Sequence, residues 1–98
     1  MTIERKTEND VVTLTLAGRL DTATAPELET ELDACAGVVK DLVLDLKDLE
    51  YTSSAGLRVI LKAQKMMNKQ GSMKLIHVNE DVMEVFDITG FLDILNIE

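Results

Sequence analysis

Residues 51–61, YTSSAGLRVIL, contain the change of pattern that organises the rest of this chain. The apolar run from Leu42 to Leu46 precedes them and predicts a buried strand, whereas the apolar residues that follow recur at helical spacing. Ser53 and Ser54 therefore lie where a strand and its loop enter a helix. The first amides of a helix lack an intrahelical acceptor and carry partial positive charge, so this position suits a capping oxygen or a phosphate group.

The helix after the serines is predicted from about Ser54 to Gln70, with Gly71 ending it. Small residues, Ala55 and Gly56, follow the serines, and glycine in a helix costs up to about 1 kcal/mol relative to alanine. The sequence offers no packing reason for this glycine, so we interpret it as keeping the site open to an approaching molecule. The apolar stripe of the helix consists of Leu57, Ile60, Leu61, Gln64 and Met67.

The N-terminal third predicts a hairpin of two strands. Val11 to Leu16 alternate apolar and hydroxyl residues, which is typical of a strand with one buried face. Ile3 to Lys6 can pair with it in antiparallel fashion across the turn-prone Asn9-Asp10 pair. The pattern is broken at Gly18 and Asp21.

A helix is predicted next, because Thr24 and Glu27 form a T-x-x-E capping box with Pro26 in the first turn. We expect it to end near Gly37 and to bury one face, which carries Leu28, Leu32 and Cys35. In the following apolar run, Asp45 either lies at the sheet edge near the serines or pairs with a partner that the sequence does not identify.

The C-terminal third predicts a strand over 73–78, a helix capped by Asn79 and ended by Gly90, and a last short strand over 94–97. The predicted order is β-β-α-β-α-β-α-β. This order indicates an α/β fold, a single domain over 1–98 in which helices pack against a mixed sheet of four to five strands, with right-handed crossovers. The inward-facing residues of the third helix are predicted to be Val82, Val85 and Phe86.

Composition narrows the function classes. The chain has 98 residues, 18 of them acidic and 10 basic, for a net charge of −8, which disfavours binding to nucleic acids and to anionic membrane surfaces. No apolar run reaches the roughly 18 residues of a membrane span, and the N-terminus does not resemble a signal peptide. We therefore expect a cytoplasmic protein. A single cysteine, Cys35, permits no internal disulfide and is interpreted as apolar filler.

Catalysis is not indicated. The strand–serine–helix order is that of the nucleophile elbow G-x-S-x-G, but Thr52 replaces the first glycine of that motif. His77, the one histidine, is predicted to be a structural strand residue. One histidine and one cysteine give no metal-ligand spacing, and Gly-rich phosphate loops are absent. We expect no enzyme activity, no metal and no cofactor.

Taken together, the GRLD segment (18–21), the first helix and residues 45–61, DLKDLEYTSSAGLRVIL, resemble a STAS domain. The resemblance extends over essentially the whole chain and is strongest to stand-alone bacterial anti-sigma factor antagonists. In that family an anti-sigma factor, which is a GHKL-type serine kinase, phosphorylates a serine at the start of the second helix. The unphosphorylated antagonist binds this kinase and frees a sigma factor, and a PP2C-type phosphatase restores that form.

The resemblance also implies residue roles. The helix register places the phosphoacceptor on Ser54. Relatives often carry Asp immediately before the acceptor, whereas this chain carries Ser53, so Ser53 is the second candidate. Asp21 matches a family position near the phosphoacceptor. The partner-binding residues implied are Asp21, Thr22, Thr52, Ser53, Ser54, Ala55, Gly56, Leu57 and Arg58.

Two other interpretations remain open at this point. The chain can be a STAS adaptor subunit of a transport or lipid-trafficking assembly that is never phosphorylated. It can also form a homodimer through an exposed first strand.

Overall fold

The elements are β1 (Thr2–Glu8), β2 (Val11–Leu20), α1 (Ala25–Asp33), β3 (Asp41–Thr52), α2 (Ser54–Gln70), β4 (Ser72–Ile76), α3 (Glu80–Ile88) and a 3-10 turn (Phe91–Asp93). The strands form one mixed sheet in the order β1-β2-β3-β4. The computed structural model describes residues 1–98. β1 pairs antiparallel with β2, whereas β2, β3 and β4 are parallel and are connected by α1 and α2. The α/β fold with a mixed sheet is therefore confirmed.

The core lies between one face of the sheet and the helices. Alternate residues of β2 point into it, as the period of two requires, and Leu14 and Leu16 are completely buried. Ile60 and Met67 of α2 and Phe86 of α3 meet them from the other side. Cys35 is also buried there, and this burial raises the pKa of its thiol, so the residue is inert filler as predicted.

Helix α2 begins and ends where the sequence predicts, and α3 is capped by Asn79, whose Oδ1 accepts a bond from the Val82 amide at 2.9 Å. The capping box predicted for α1 is wrong. Thr24 has helical backbone angles, and its hydroxyl accepts from the Asp21 amide and donates to the Arg19 carbonyl at 2.8 Å. It therefore closes the preceding loop and leaves the helix uncapped by a side chain.

Two strands run further than predicted. β2 continues through Gly18, which has a φ of 97°, to Leu20, and β3 extends to Thr52. Two shifts of register between β2 and β3 interrupt the alternation that the sequence pattern relies on. As a result, both strands end beside the start of α2.

The C-terminal strands are shorter than predicted. β4 stops at Ile76, and His77, expected within that strand, has a φ of 58° and an exposed side chain. The strand predicted over 94–97 is reduced to one parallel bridge between Ile97 and Leu75. None of the helices has the length and apolar character that crossing a membrane requires.

Candidate functional site

Ser53 caps helix α2. Its backbone is extended, with φ −95° and ψ 177°, and its Oγ accepts a hydrogen bond from the Gly56 amide at 3.4 Å. Its carbonyl accepts from the Leu57 amide at 3.0 Å, and its own amide donates to the Leu20 carbonyl at 2.9 Å. Ser53 therefore ties the end of β2 to the first turn of α2.

Ser54 differs from its neighbour in both exposure and bonding. It is the first residue of α2, its side chain is exposed, and its hydroxyl forms no hydrogen bond within the protein. The structure thus gives the adjacent serines separate environments. One hydroxyl serves the fold, and the other is free at the surface.

The loop that follows β2 lies beside this helix start, because Leu20 pairs with Thr52 at the ends of the two strands. Asp21 organises the loop: its Oδ1 accepts from the Ala23 and Thr24 amides at 3.0 and 3.1 Å. The Thr24 amide bond is the main reason why the pKa of Asp21 is lowered below its ordinary value. Asp21 is therefore a charged, half-exposed residue held next to the serines.

A shallow groove separates the first turns of α1 and α2. Thr22, Ala55 and Arg58 line it, together with Ala25, Pro26, Glu29 and Val59. Glu29 is paired with Lys62, whose Nζ lies 3.3 Å from its carboxylate, whereas Arg58 is exposed and forms no ion pair. The groove places an uncommitted cation one turn beyond Ser54.

Three predicted partner-binding residues are not available at the surface. Thr52 is 2% exposed, Leu57 is 5% exposed, and Gly56 is buried beneath them. The side chains of Thr52 and Leu57 belong to the buried region under the helix start, and Gly56 contributes backbone there. The structure brings the remaining predicted residues to the surface on one side of the molecule: Asp21, Thr22, Ser53, Ser54, Ala55 and Arg58.

The interpretation that Gly56 keeps the site open to an approaching molecule is wrong. A Cβ at this position would lie 2.5 Å from Thr52 Oγ1 and 2.6 Å from Leu20 Cγ. The glycine is required because α2 begins directly against the ends of β2 and β3. Sequence analysis missed this reason since the predicted strands stopped short of both contacts.

Sequence analysis also missed a cation–π pair beside the site. Arg19 lies over the ring of Tyr51, with its guanidinium carbon 4.3 Å from the ring centroid. The two residues are paired in the register of β2 and β3, one position before Leu20 and Thr52. No local signal identifies such a pair when the strands are predicted to end earlier.

The second alternative for Asp45 is correct. Its Oδ1 lies 3.0 Å from His77 Nδ1 and also accepts from the Lys47 amide at 3.1 Å. Asp45 precedes Thr52 by seven residues of strand, about 23 Å at about 3.3 Å per residue, so this pair is remote from the serines. No group of three or more His, Cys, Asp or Glu residues is arranged to hold a metal ion.

Comparison with known proteins gives a consistent result. The family model described as STAS domain matches residues 2–98. The anti-sigma-B factor antagonist of Bacillus subtilis is 40% identical over 94 residues, which cover 95% of this chain and 85% of that protein. A crystal structure of an anti-sigma factor antagonist from Mycobacterium paratuberculosis has a TM-score of 0.89 at 22% identity, covering 98% of this chain and 83% of that one.

The Bacillus protein SpoIIAA has the same fold. Its unphosphorylated form gives a TM-score of 0.78 at 15% identity and covers 99% of this chain and 87% of its own. Its phosphorylated form gives 0.78 at 16% identity, with coverage of 99% and 91%. At these identities the likeness concerns the fold alone.

Proposed function

This chain belongs to the STAS domain family, and on that premise we propose that it is an anti-sigma factor antagonist controlled by phosphorylation. In this proposal the unmodified protein binds an anti-sigma factor that is also a serine kinase, and a sigma factor is thereby released. Phosphorylation of Ser54 ends the binding. The observation that carries the proposal is the exposed, unbonded Ser54 hydroxyl beside the Asp21 loop.

The bonding of the two serines supports Ser54 over Ser53 as the acceptor. A kinase must reach the hydroxyl oxygen and remove its proton. The Ser54 hydroxyl is exposed, and its modification breaks no hydrogen bond of the folded protein. The Ser53 hydroxyl oxygen, by contrast, already accepts the Gly56 amide, so modifying Ser53 would disturb the cap of α2. Ser53 is therefore the structural serine in this proposal.

Electrostatics explains how a phosphoryl group would control docking. A phosphoserine adds about −1.5 to −2 charges at neutral pH, and the partial positive charge of a helix N-terminus tolerates them. The domain therefore need not unfold, and a fold of this kind is known for both forms of SpoIIAA. A partner surface fitted to a neutral hydroxyl would instead meet a dianion. Disrupting the centre of an interface in this way costs about 2 kcal/mol or more, about 30-fold in affinity.

Two kinds of protein act directly on this chain in this account. A GHKL-type anti-sigma factor binds and phosphorylates the protein, and a PP2C-type phosphatase removes the phosphoryl group. The sigma factor is affected only indirectly, through competition for the kinase. All of them act in the cytoplasm in this account.

The direct test is phosphorylation with site mapping. The chain is incubated with ATP and the anti-sigma factor of its own organism, and intact mass and peptide fragmentation are measured. We expect one phosphoryl group on Ser54, none on Ser54→Ala, and one that still maps to Ser54 in the control Ser53→Ala. A protein that stays unmodified, or is modified elsewhere, would overturn the proposal and favour the fixed adaptor.

A further inference from the structure

Arg58 and Ser54 occupy the same face of α2. They are four residues apart, so their Cβ atoms lie about 5–6 Å from each other, one helical turn apart. Both side chains are exposed. Because side chains of a helix lean toward its N-terminus, the Arg58 side chain is able to reach the turn that contains the serine.

Arg58 is uncommitted, unlike the cations around it. Lys62 Nζ lies 3.3 Å from Glu29 and 3.7 Å from Asp33, so the acidic residue that lines the groove with Arg58 is already paired. Arg19 is stacked on Tyr51. Arg58 is therefore the cation of α2 nearest to Ser54 in the sequence, and it forms no ion pair.

We propose that Arg58 is the intramolecular partner of phosphorylated Ser54, with its guanidinium donating to the phosphoryl oxygens across one turn of α2. Guanidinium is the side-chain group best matched to phosphate, since its planar donors can bond two oxygens at once. The negative charge of Asp21 in the loop beside the helix start opposes the dianion, and Arg58 offsets it. The inference rests on the proposed function only for the occurrence of phosphorylation at Ser54.

This pairing gives the modification a second effect. In the unmodified protein, Arg58 is a free cation on the proposed docking face of a chain with net charge −8, and it can meet a carboxylate of the partner. In the phosphorylated protein the same guanidinium is occupied. Phosphorylation then adds negative charge to the docking face and withdraws its free positive charge in one step.

The test measures the phosphate directly. Phosphoserine is incorporated at position 54 of the full chain by genetic code expansion, which requires no kinase, and its second pKa is followed by 31P NMR titration. We expect Arg58→Gln to raise this pKa by about 0.3 unit, the size expected for an exposed ion pair one turn apart, and Arg58→Lys to raise it less. Lys65→Gln, which removes a cation further along the same helix, is the matched control and should leave the pKa unchanged.

Equal pKa values for the parent and Arg58→Gln, with circular dichroism showing both folded, would overturn the inference and leave the proposed function intact. A rise that Lys65→Gln reproduces would also overturn it, since the effect would then reflect net charge. Failure of the kinase to modify Ser54 would instead count against the proposed function, because the NMR result does not depend on that enzyme.

Discussion

At the scale of single residues, Gly56 shows how little space the start of α2 leaves. Alanine is the better helix former by about 1 kcal/mol, yet its methyl group would lie 2.5 Å from Thr52 Oγ1 and 2.6 Å from Leu20 Cγ. We expect Gly56→Ala to lower the free energy of unfolding by about 1–3 kcal/mol, since overpacking outweighs propensity. Urea denaturation measures this, with the exposed Lys65→Ala as control. A Gly56→Ala protein as stable as its parent would contradict the packing argument.

Asp21, also at the scale of single residues, makes a pH-dependent contribution to the free energy of unfolding. Its folded pKa is lowered from the ordinary value of 3.8, first by the Thr24 amide bond, so the ionised form favours folding. This stability is present above about pH 4 and is lost as the pH falls through the folded pKa. Asp21→Asn imitates the protonated residue. We expect the parent to be more stable than Asp21→Asn near neutral pH, with the difference shrinking as the pH falls below about 4.

Unfolding of both proteins in urea across this pH range checks the expectation. The comparison isolates Asp21, because every other carboxylate is common to the two proteins. A difference that persists undiminished in acid would mean that the Asp21 carboxylate charge is not what stabilises the loop.

At the scale of elements, helices were better predicted than strands. Signals for α2 are local, since Ser53 and Gly71 mark its ends and its stripe repeats within a few residues. The tails of β2 and β3 depend on each other across shifted registers, so no short pattern reports them. The cap predicted for α1 is wrong for a similar reason. Thr24 exchanges hydrogen bonds with Asp21 and does not cap the helix, and only the folded loop reveals this pairing.

The Gln70 side chain makes hydrogen bonds that join two parts of the fold, and the sequence did not indicate them. Its Nε2 donates to the carbonyls of Cys35 and Val39 at 2.9 and 2.6 Å, and its Oε1 accepts from the Gly37 amide at 2.8 Å. One side chain at the end of α2 thus fastens the connection between α1 and β3. These partners are 31 to 35 residues away in sequence, beyond any local pattern.

We expect Gln70→Ala to reduce the free energy of unfolding by about 2 kcal/mol, because it removes three hydrogen bonds to backbone groups at a partly buried position. The neighbouring exposed residue provides the control, and Lys69→Ala should change stability by less than about 0.5 kcal/mol. Chemical denaturation measures both. If the two variants are equally stable, Gln70 does not fasten this connection.

At the scale of the whole molecule, the path of the chain creates the candidate site. Parallel β2 and β3 end together at Leu20 and Thr52, which places the Asp21 loop beside the start of α2. The sequence predicted the serines at the start of α2 and the order of the elements as far as α3, but not which site residues are buried. Homodimerisation through β1 stays a prediction, and the charged residues of this edge strand disfavour it: Glu4, Arg5, Lys6 and Glu8.

The affinity of the chain for its anti-sigma factor, measured by isothermal titration calorimetry, tests the central claim most directly. We expect Ser54→Ala to bind as tightly as the unmodified protein, because a small neutral side chain is retained. Ser54→Asp and the protein phosphorylated at Ser54 should bind at least about 30-fold more weakly, which corresponds to about 2 kcal/mol at the centre of an interface. Equal affinity of the phosphorylated and unmodified proteins would contradict the account.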